Sequence, residues 1–414
     1  MKTENKVLIG FVGIFIVTSA LVGTVLVARA KYTGSASEPT IVQGNKIFAA
    51  DSAPETVNKA TIIPTTPYLS FASDAVNAKE ENANVISIQF FGDMMLDRNV
   101  AKVMGTKGLD YLFANVQGEK RIFGDADLLI ANLEGPFASK RVATSKSIAF
   151  RFDPKLAEQL KKYGFDGVSL ANNHSYDMGR ANVAFTRETL KKAGVGYFGD
   201  ELLEGNNLTW IASETSPYPL LERRGYTASP PFKGETGEGV SLPDNVAFIG
   251  VHNTYRQPDL KKVDAAIKDA KEKAKYVVVM VHWGDEYKRI SNQKQRTLAR
   301  WLIDHGVDVV VGHHPHVVQE MEIYKDKPIF YSLGNFIFDQ YFSTETQEGV
   351  SIGMTLADGK VKEIHILPFY GAKSQVYQMT GERREKFLEW WGKNSRLNGR
   401  EIRDGQIPLS VSLP

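Results

Sequence analysis

From residue 85 onward, short apolar runs alternate with longer amphipathic segments, and nearly every apolar run ends in a polar cluster. The runs cover 85–91, 128–132, 167–170, 246–251, 276–282, 307–311 and 329–332, with helical patterns over 154–163, 179–193, 260–275 and 292–305. Strands that alternate with helices imply βαβ units and a sheet buried between layers. Two further runs, 349–356 and 361–367, flank Asp358-Gly359, a dipeptide that favours a two-residue hairpin. The expectation is therefore an α/β domain with mixed sheets over 85–370. Beyond it, 371–414 should carry one helix, Gly381–Asn394, with Thr380 at its N-cap. Phe387, Trp390 and Trp391 give that helix an apolar edge suited to packing on the domain's flank.

The chain opens differently. Residues 7–28 contain no charged side chain, and Lys2, Lys6, Arg29 and Lys31 bound them. A helix of that length rises about 33 Å, enough to cross the hydrocarbon core of a bilayer. Ala28-Arg29-Ala30 has the small-x-small form of a cleavage site, yet the apolar stretch is long for a signal peptide and arginine sits inside the site. An uncleaved single-pass anchor in the cell membrane is expected, after a short tail over 1–6 and with the large domain outside the cytoplasm. Residues 31–84, rich in Ser, Thr, Ala, Pro and Asn, read as a flexible linker.

Composition narrows the chemistry. The formal net charge of +2 among 414 residues gives no argument for a nucleic-acid partner. The absence of cysteine excludes disulfides, thiolate metal sites and a cysteine nucleophile, and leaves His, Asp, Glu and Asn as donors. Those donors gather at predicted strand ends: Gly92-Asp93, Asn132-Leu133-Glu134, Asn172-Asn173-His174 with Asp177, His282 with Glu286, Gly312-His313-His314-Pro315-His316, and Gly334-Asn335. Five of the eight histidines lie between His282 and His316. Loops at the carboxyl ends of strands are where α/β folds place their chemistry. Two divalent cations about 3.5–4 Å apart need a shared carboxylate and several oxygen and imidazole donors. Asp93 and Glu134 would supply carboxylates, Asn173 a neutral oxygen, and His282, His314 and His316 imidazoles.

This ordered set resembles the CapA/PgsA family of poly-γ-glutamate capsule synthesis proteins, within the calcineurin-like metallophosphoesterase superfamily. The resemblance covers about 86–367 and is most specific around 172–177, 282–287, 312–317 and 332–339. It implies a four-layer α/β/β/α metallophosphatase-like sandwich with the metal site at one edge of two sheets. Asp93 then resembles the carboxylate of a first metal and Glu134 the bridging one. Asn173, His282 and His314 resemble second-metal ligands, and His316 a first-metal ligand. His174 resembles the histidine that protonates a leaving group, with Asp177 and Arg98 as catalytic companions and Asp97 and Glu286 as supporting contacts. One departure stands out: the superfamily places a histidine two residues after the first aspartate, and this chain has Met95. Thioether is a poor partner for Mg²⁺ or Mn²⁺, so the first site is expected to be weak, vacant or completed by another residue. His313 is expected to be a neighbour that shapes the site.

The implied cofactor is one or two divalent ions, manganese first, with magnesium, zinc or iron as alternatives. The leading functional expectation is a membrane-anchored protein of poly-γ-glutamate, or related envelope-polymer, synthesis or export. Two others stand beside it: a metal-dependent phosphoesterase on nucleotides or envelope precursors, and a non-catalytic, polymer-binding scaffold of a membrane synthase. The expected partners are accordingly an anionic polymer or phosphorylated substrate, the bilayer, and membrane synthase subunits.

Overall fold

A computed structural model describes residues 85–116, 126–199, 209–212 and 246–409. The expected anchor over 7–28 and linker over 31–84 lie outside the described residues. Among the described residues no helix is long and apolar enough to cross a membrane.

Two mixed sheets form an α/β sandwich. In the first, β1 (Ile86–Met94), β2 (Leu128–Leu133), β3 (Gly167–Ser169) and β4 (Gly196–Phe198) run parallel. The second holds β5 (Thr209–Ala212), β6 (Val246–Asn253), β7 (Tyr276–Trp283), β8 (Val309–His313), β9 (Met321–Tyr324) and β10 (Lys327–Phe330) in the order β5-β6-β7-β8-β10-β9. The remaining strands, β11 (Asn335–Ile337), β12 (Glu348–Ala357), β13 (Lys360–Ala372), β14 (Gln375–Gln378) and β15 (Gln406–Pro408), complete the first sheet to nine. Its main path is β14-β13-β12-β1-β2-β3-β4. The β12–β13 hairpin turns on Asp358 (φ 52°) and Gly359 (φ 73°), the left-handed pair that a two-residue hairpin loop requires.

Pleating sorts the side chains. In the run Tyr276–Trp283, Tyr276, Val278 and Met280 face a core between the sheets, whereas Val277, Val279, Val281 and Trp283 face a second core. A parallel strand buried on both faces should read as a continuous β-branched run, and this one does. The helices are α1 (Arg98–Lys107), α2 (Asp110–Phe113), α3 (Leu156–Lys162), α4 (Arg180–Ala193), α5 (Leu260–Lys273), α6 (Gln293–Asp304), α7 (Thr344–Gln347) and α8 (Gly381–Asn394). Val263 and Ile267 of α5 and Leu302 of α6 fill the core outside the six-stranded sheet. Val100 of α1, Leu160 of α3 and Leu190 of α4 fill the one outside the nine-stranded sheet.

Local sequence explains several boundaries. Asn292 and Gln295 form a reciprocal capping box at the start of α6. Thr380 occupies the N-cap of α8 but makes no side-chain cap bond; that helix is held by burial of Phe387 and Trp391 at the margin of the inter-sheet core. The stretch beyond Arg396, uninformative in sequence, contributes β15, which pairs with Glu363–His365 of β13.

Trp391 is fully buried and its Nε1 donates to the Gln319 carbonyl at 2.8 Å. Trp391→Ala should therefore lower unfolding free energy by about 3–5 kcal/mol, as read from a denaturant titration.

Candidate metal centre

The polar clusters meet because parallel strands end side by side. Asp93 on β1 lies in register with Asn132 on β2 and Asn335 on β11, and Asn132 with Ser169 on β3. In the other sheet His252, His282 and His313 form an in-register row across β6, β7 and β8. Gly312 permits this crossing: a Cβ there would sit 2.0 Å from the Tyr331 carbonyl oxygen. Gly92 does the same under Gly334, again at 2.0 Å.

Asp93 and Glu134 are both wholly buried. Asn132 Nδ2 donates to Asp93 Oδ1 at 2.8 Å and lies 3.4 Å from His282 Nδ1. Asn172 Nδ2 in turn donates to Asn132 Oδ1 (3.1 Å) and to the Leu133 carbonyl (2.9 Å). This chain of amides locks three strand ends together. His316 presents Nδ1 to Asn335 Oδ1 at 3.0 Å and to Asp93 Oδ2 at 3.3 Å, which leaves Nε2 facing Glu134 Oε1 at 3.6 Å. His282 Nε2 lies 2.8 Å from Asn173 Oδ1 and 4.0 Å from Glu134 Oε1. The His314 ring stacks obliquely on His282, with centroids 4.8 Å apart. His314 and His316 have positive φ, 95° and 57°, a left-handed turn that aims both rings inward.

The six expected ligands thus converge. Asp93, Glu134 and His282 form one cluster of donor atoms, and Glu286, His314 and His316 a second. Whether such residues fit a cation is answered by their unmet bonds. Both carboxylate oxygens of Glu134, both ring nitrogens of His313 and Nδ1 of His314 are buried with no hydrogen-bond partner. Unpaired buried polar atoms are rare in folded proteins and costly, more so for a carboxylate. Unmet carboxylate and imidazole atoms on residues of these clusters and their neighbour His313 suit a divalent ion held by oxygen and imidazole donors.

Electrostatics agree. Burial, reinforced by Asp93, Glu286 and Asp177, holds the Glu134 carboxyl well above the ordinary range despite His316. Burial also acts to raise Asp93, but His313 and His316 outweigh it and hold that carboxyl well below the usual value. Burial, with the neighbouring imidazoles, pushes His282 well down and His314 down to about 3. His316 goes the other way: burial opposes its charge, but Glu134 and Asp93 raise it to about 9.

The catalytic candidates separate. His174 Nδ1 lies 2.6 Å from Asp177 Oδ2, whose carboxylate also accepts from Lys146 Nζ (2.6 Å) and the Phe150 backbone N–H (2.7 Å). His174 Nε2 then faces Glu134 Oε1 at 4.0 Å, with the ring against Phe150 at 4.2 Å. Burial lowers the His174 pKa in spite of Asp177, so the resting imidazole is neutral near pH 7. Arg98 is held elsewhere. It pairs with Asp339 and lies over the Phe150 and Phe338 rings, at 5.0 and 5.7 Å, one ring removed from His174 and His316. Asp97 is taken up by Arg141 and the Arg151 backbone, also outside the cluster.

Sequence reasoning assigned no role to Asn132 or Asn172, although both stand in the polar clusters, and missed Asn335 as a partner of His316. It also missed Lys146, which lies in a segment with no strand-end signal. Asn173, His252, Tyr255 and Arg256 border a cavity of about 290 Å³ beside the centre. Met95 is fully buried in the apolar cluster under α1 and α2, and its sulfur accepts the Asp97 backbone N–H at 3.1 Å.

Residues 87–340 match the family model "Bacterial capsule synthesis protein PGA_cap". The chain belongs to that family. The family falls in the metallophosphoesterase-like superfamily. The chain is 30% identical to the PGA biosynthesis protein CapA of Bacillus subtilis (strain 168) over 306 residues, 72% of this chain and 74% of that one. With the capsule biosynthesis protein CapA of Bacillus anthracis it shares 27% identity over 372 residues, 82% of this chain and 85% of the relative.

His316 is raised to about 9 and the Glu134 carboxyl beside it is held well above its ordinary range, so below pH about 9 an arriving cation displaces at least one proton from this pair. Affinity for Mn²⁺ should therefore rise by about tenfold or more per pH unit between 7 and 9. Calorimetry in buffers of different ionisation enthalpy counts the released protons directly.

Proposed function

We propose that this PGA_cap family member is a membrane-anchored hydrolase serving the synthesis or export of poly-γ-glutamate, or a related anionic envelope polymer, with the apolar segment 7–28 as its anchor. The observation that carries the reading is the buried Asp93–Glu134 pair with its ring of unmet imidazole and carboxylate bonds. The three cores, one between the sheets and one outside each, support the four-layer metallophosphatase-like arrangement. The names of the Bacillus relatives support the polymer, since one is a PGA biosynthesis protein and the other a capsule biosynthesis protein.

Asp93, Glu134, Asn173, His282, His314 and His316 would hold one or two divalent ions, with manganese, magnesium, zinc and iron all compatible with oxygen and imidazole donors. Such an ion polarises a carbonyl or phosphoryl oxygen and makes hydroxide available near neutral pH. The chain's own residues do the rest. Asp177 fixes the Nδ1–H of His174, so the neutral ring offers Nε2 toward the centre as a proton acceptor. That nitrogen takes a proton from the attacking water and returns it to the leaving amine of a γ-glutamyl amide. Lys146 ties the Asp177 carboxylate to the Asn173 backbone carbonyl, which keeps acceptor and ligand in fixed relation. The neighbouring cavity, with Arg256 and Tyr255 at its wall, has room and charge for a carboxylate-bearing segment.

The test is incubation of the full chain in detergent with Mn²⁺ and γ-polyglutamate, following new amino ends and polymer length. Chain shortening is expected, falling by about 100-fold or more in His174→Ala. No shortening with Mn²⁺, Mg²⁺, Zn²⁺ or Fe²⁺ would overturn the reading. Turnover of an aryl phosphate instead would reassign the centre as a phosphoesterase. Polymer production in cells that survives His282→Ala and His314→Ala would make the protein a scaffold.

A further inference from the structure

We infer that His313 is itself a metal ligand, standing beside Asp93 where Met95 cannot. The inference rests on the reading of the centre as a metal site and adds a residue to it. Three observations carry it.

The first is direction. His282 and His313 are in-register partners on β7 and β8, so their side chains leave the same face of the sheet. Val309 and Val311, four and two residues earlier on β8, lie in the inter-sheet core, and alternation puts His313 on that face too. It therefore points at the ends of the opposing sheet, where Asp93 sits.

The second is distance. His313 Nδ1 lies 3.3 Å from Asp93 Oδ1, matching the 3.3 Å between His316 Nδ1 and Asp93 Oδ2. Two donors each about 2.1 Å from one cation, at octahedral or tetrahedral angles, stand about 3.0–3.4 Å apart. The pair is already spaced as joint ligands would be.

The third is the unmet bonding. His313 is 1% exposed, its Nε2 has no hydrogen-bond partner, and Nδ1 has only the 3.3 Å contact with Asp93. An imidazole kept only for packing normally donates one nitrogen to a carbonyl or carboxylate, as His174 does to Asp177. The buried Nε2 is left over for a further partner, and an ion would supply one. Met95, two residues after Asp93, is spent in the apolar core under α1 and α2. It supplies no competing donor.

The experiment uses the full chain in detergent micelles. Zn²⁺ is added to protein with ¹⁵N-labelled histidine, and ring nitrogens that move to metal-bound shifts are counted. Four are expected, from His282, His313, His314 and His316; three or fewer would overturn the inference. Mn²⁺ titration of the wild type, His313→Gln and His313→Asp supplies the second arm. Affinity should fall by about 100-fold or more in His313→Gln, beyond the 10–100-fold typical of residues that merely orient a ligand, and return toward wild type in His313→Asp. Unchanged affinity and an unchanged count in His313→Gln would show His313 to be a packing residue while leaving the centre intact. A wild type that binds neither ion would instead remove the metal reading itself. Should His313→Gln fail to fold by circular dichroism, the wild-type nitrogen count alone decides.

Discussion

The molecule is organised around two carboxylates that water does not reach. Asp93 and Glu134 sit wholly buried where the strand ends of two sheets converge, and carboxyls tolerate such burial only when paired, neutralised or bound to metal. Asp93 is answered in part by Asn132 and by contacts with His313 and His316. Glu134 is not: the nearest cationic candidate is His316 Nε2 at 3.6 Å, and neither carboxylate oxygen accepts a hydrogen bond. A cation between them would neutralise both and satisfy the waiting imidazoles.

The rest of the architecture can be understood as the means of imposing that burial. Strand register carries Asp93, Asn132 and Ser169 to one line and His252, His282 and His313 to the line opposite. Glycine at positions 92 and 312 lets neighbouring backbone pass where any Cβ would collide. The Asn172–Asn132–Asp93 bonds then stiffen the strand ends against each other. A site held by paired strands and amide bonds, rather than by loops alone, loses little entropy when it captures an ion.

Much of this was legible in the chain, for physical reasons. Runs such as Tyr276–Trp283 declare buried parallel strands through unbroken β-branched sequence, and the Asp358-Gly359 pair declares its hairpin. The six ligand candidates could be proposed because each stands at or just after the end of an apolar run. What failed to appear depends on long-range geometry. Short strands such as β4, β11 and β15 are defined by their partners and have too few residues for a periodic signal. Asn132 and Asn172 look like turn residues until register brings Asn132 to Asp93 and Asn172 bonds to Asn132. Arg98 was offered a catalytic role by the resemblance, and its pairing with Asp339, distant in the chain, could not be read from the sequence. His313 seemed secondary beside the His314-Pro315-His316 turn, and only the β7–β8 register reveals where it points.

The central claim is that the Asp93–Glu134 pair is built for a divalent ion. Anomalous X-ray diffraction at the manganese edge, on crystals of the Mn²⁺-loaded protein, tests it most directly. The account predicts an anomalous peak within coordination distance of both carboxylates, about 2.0–2.4 Å from an oxygen of each. Mn²⁺-loaded crystals with no peak beside Glu134, its oxygens bonded instead to water or protein donors, would contradict it.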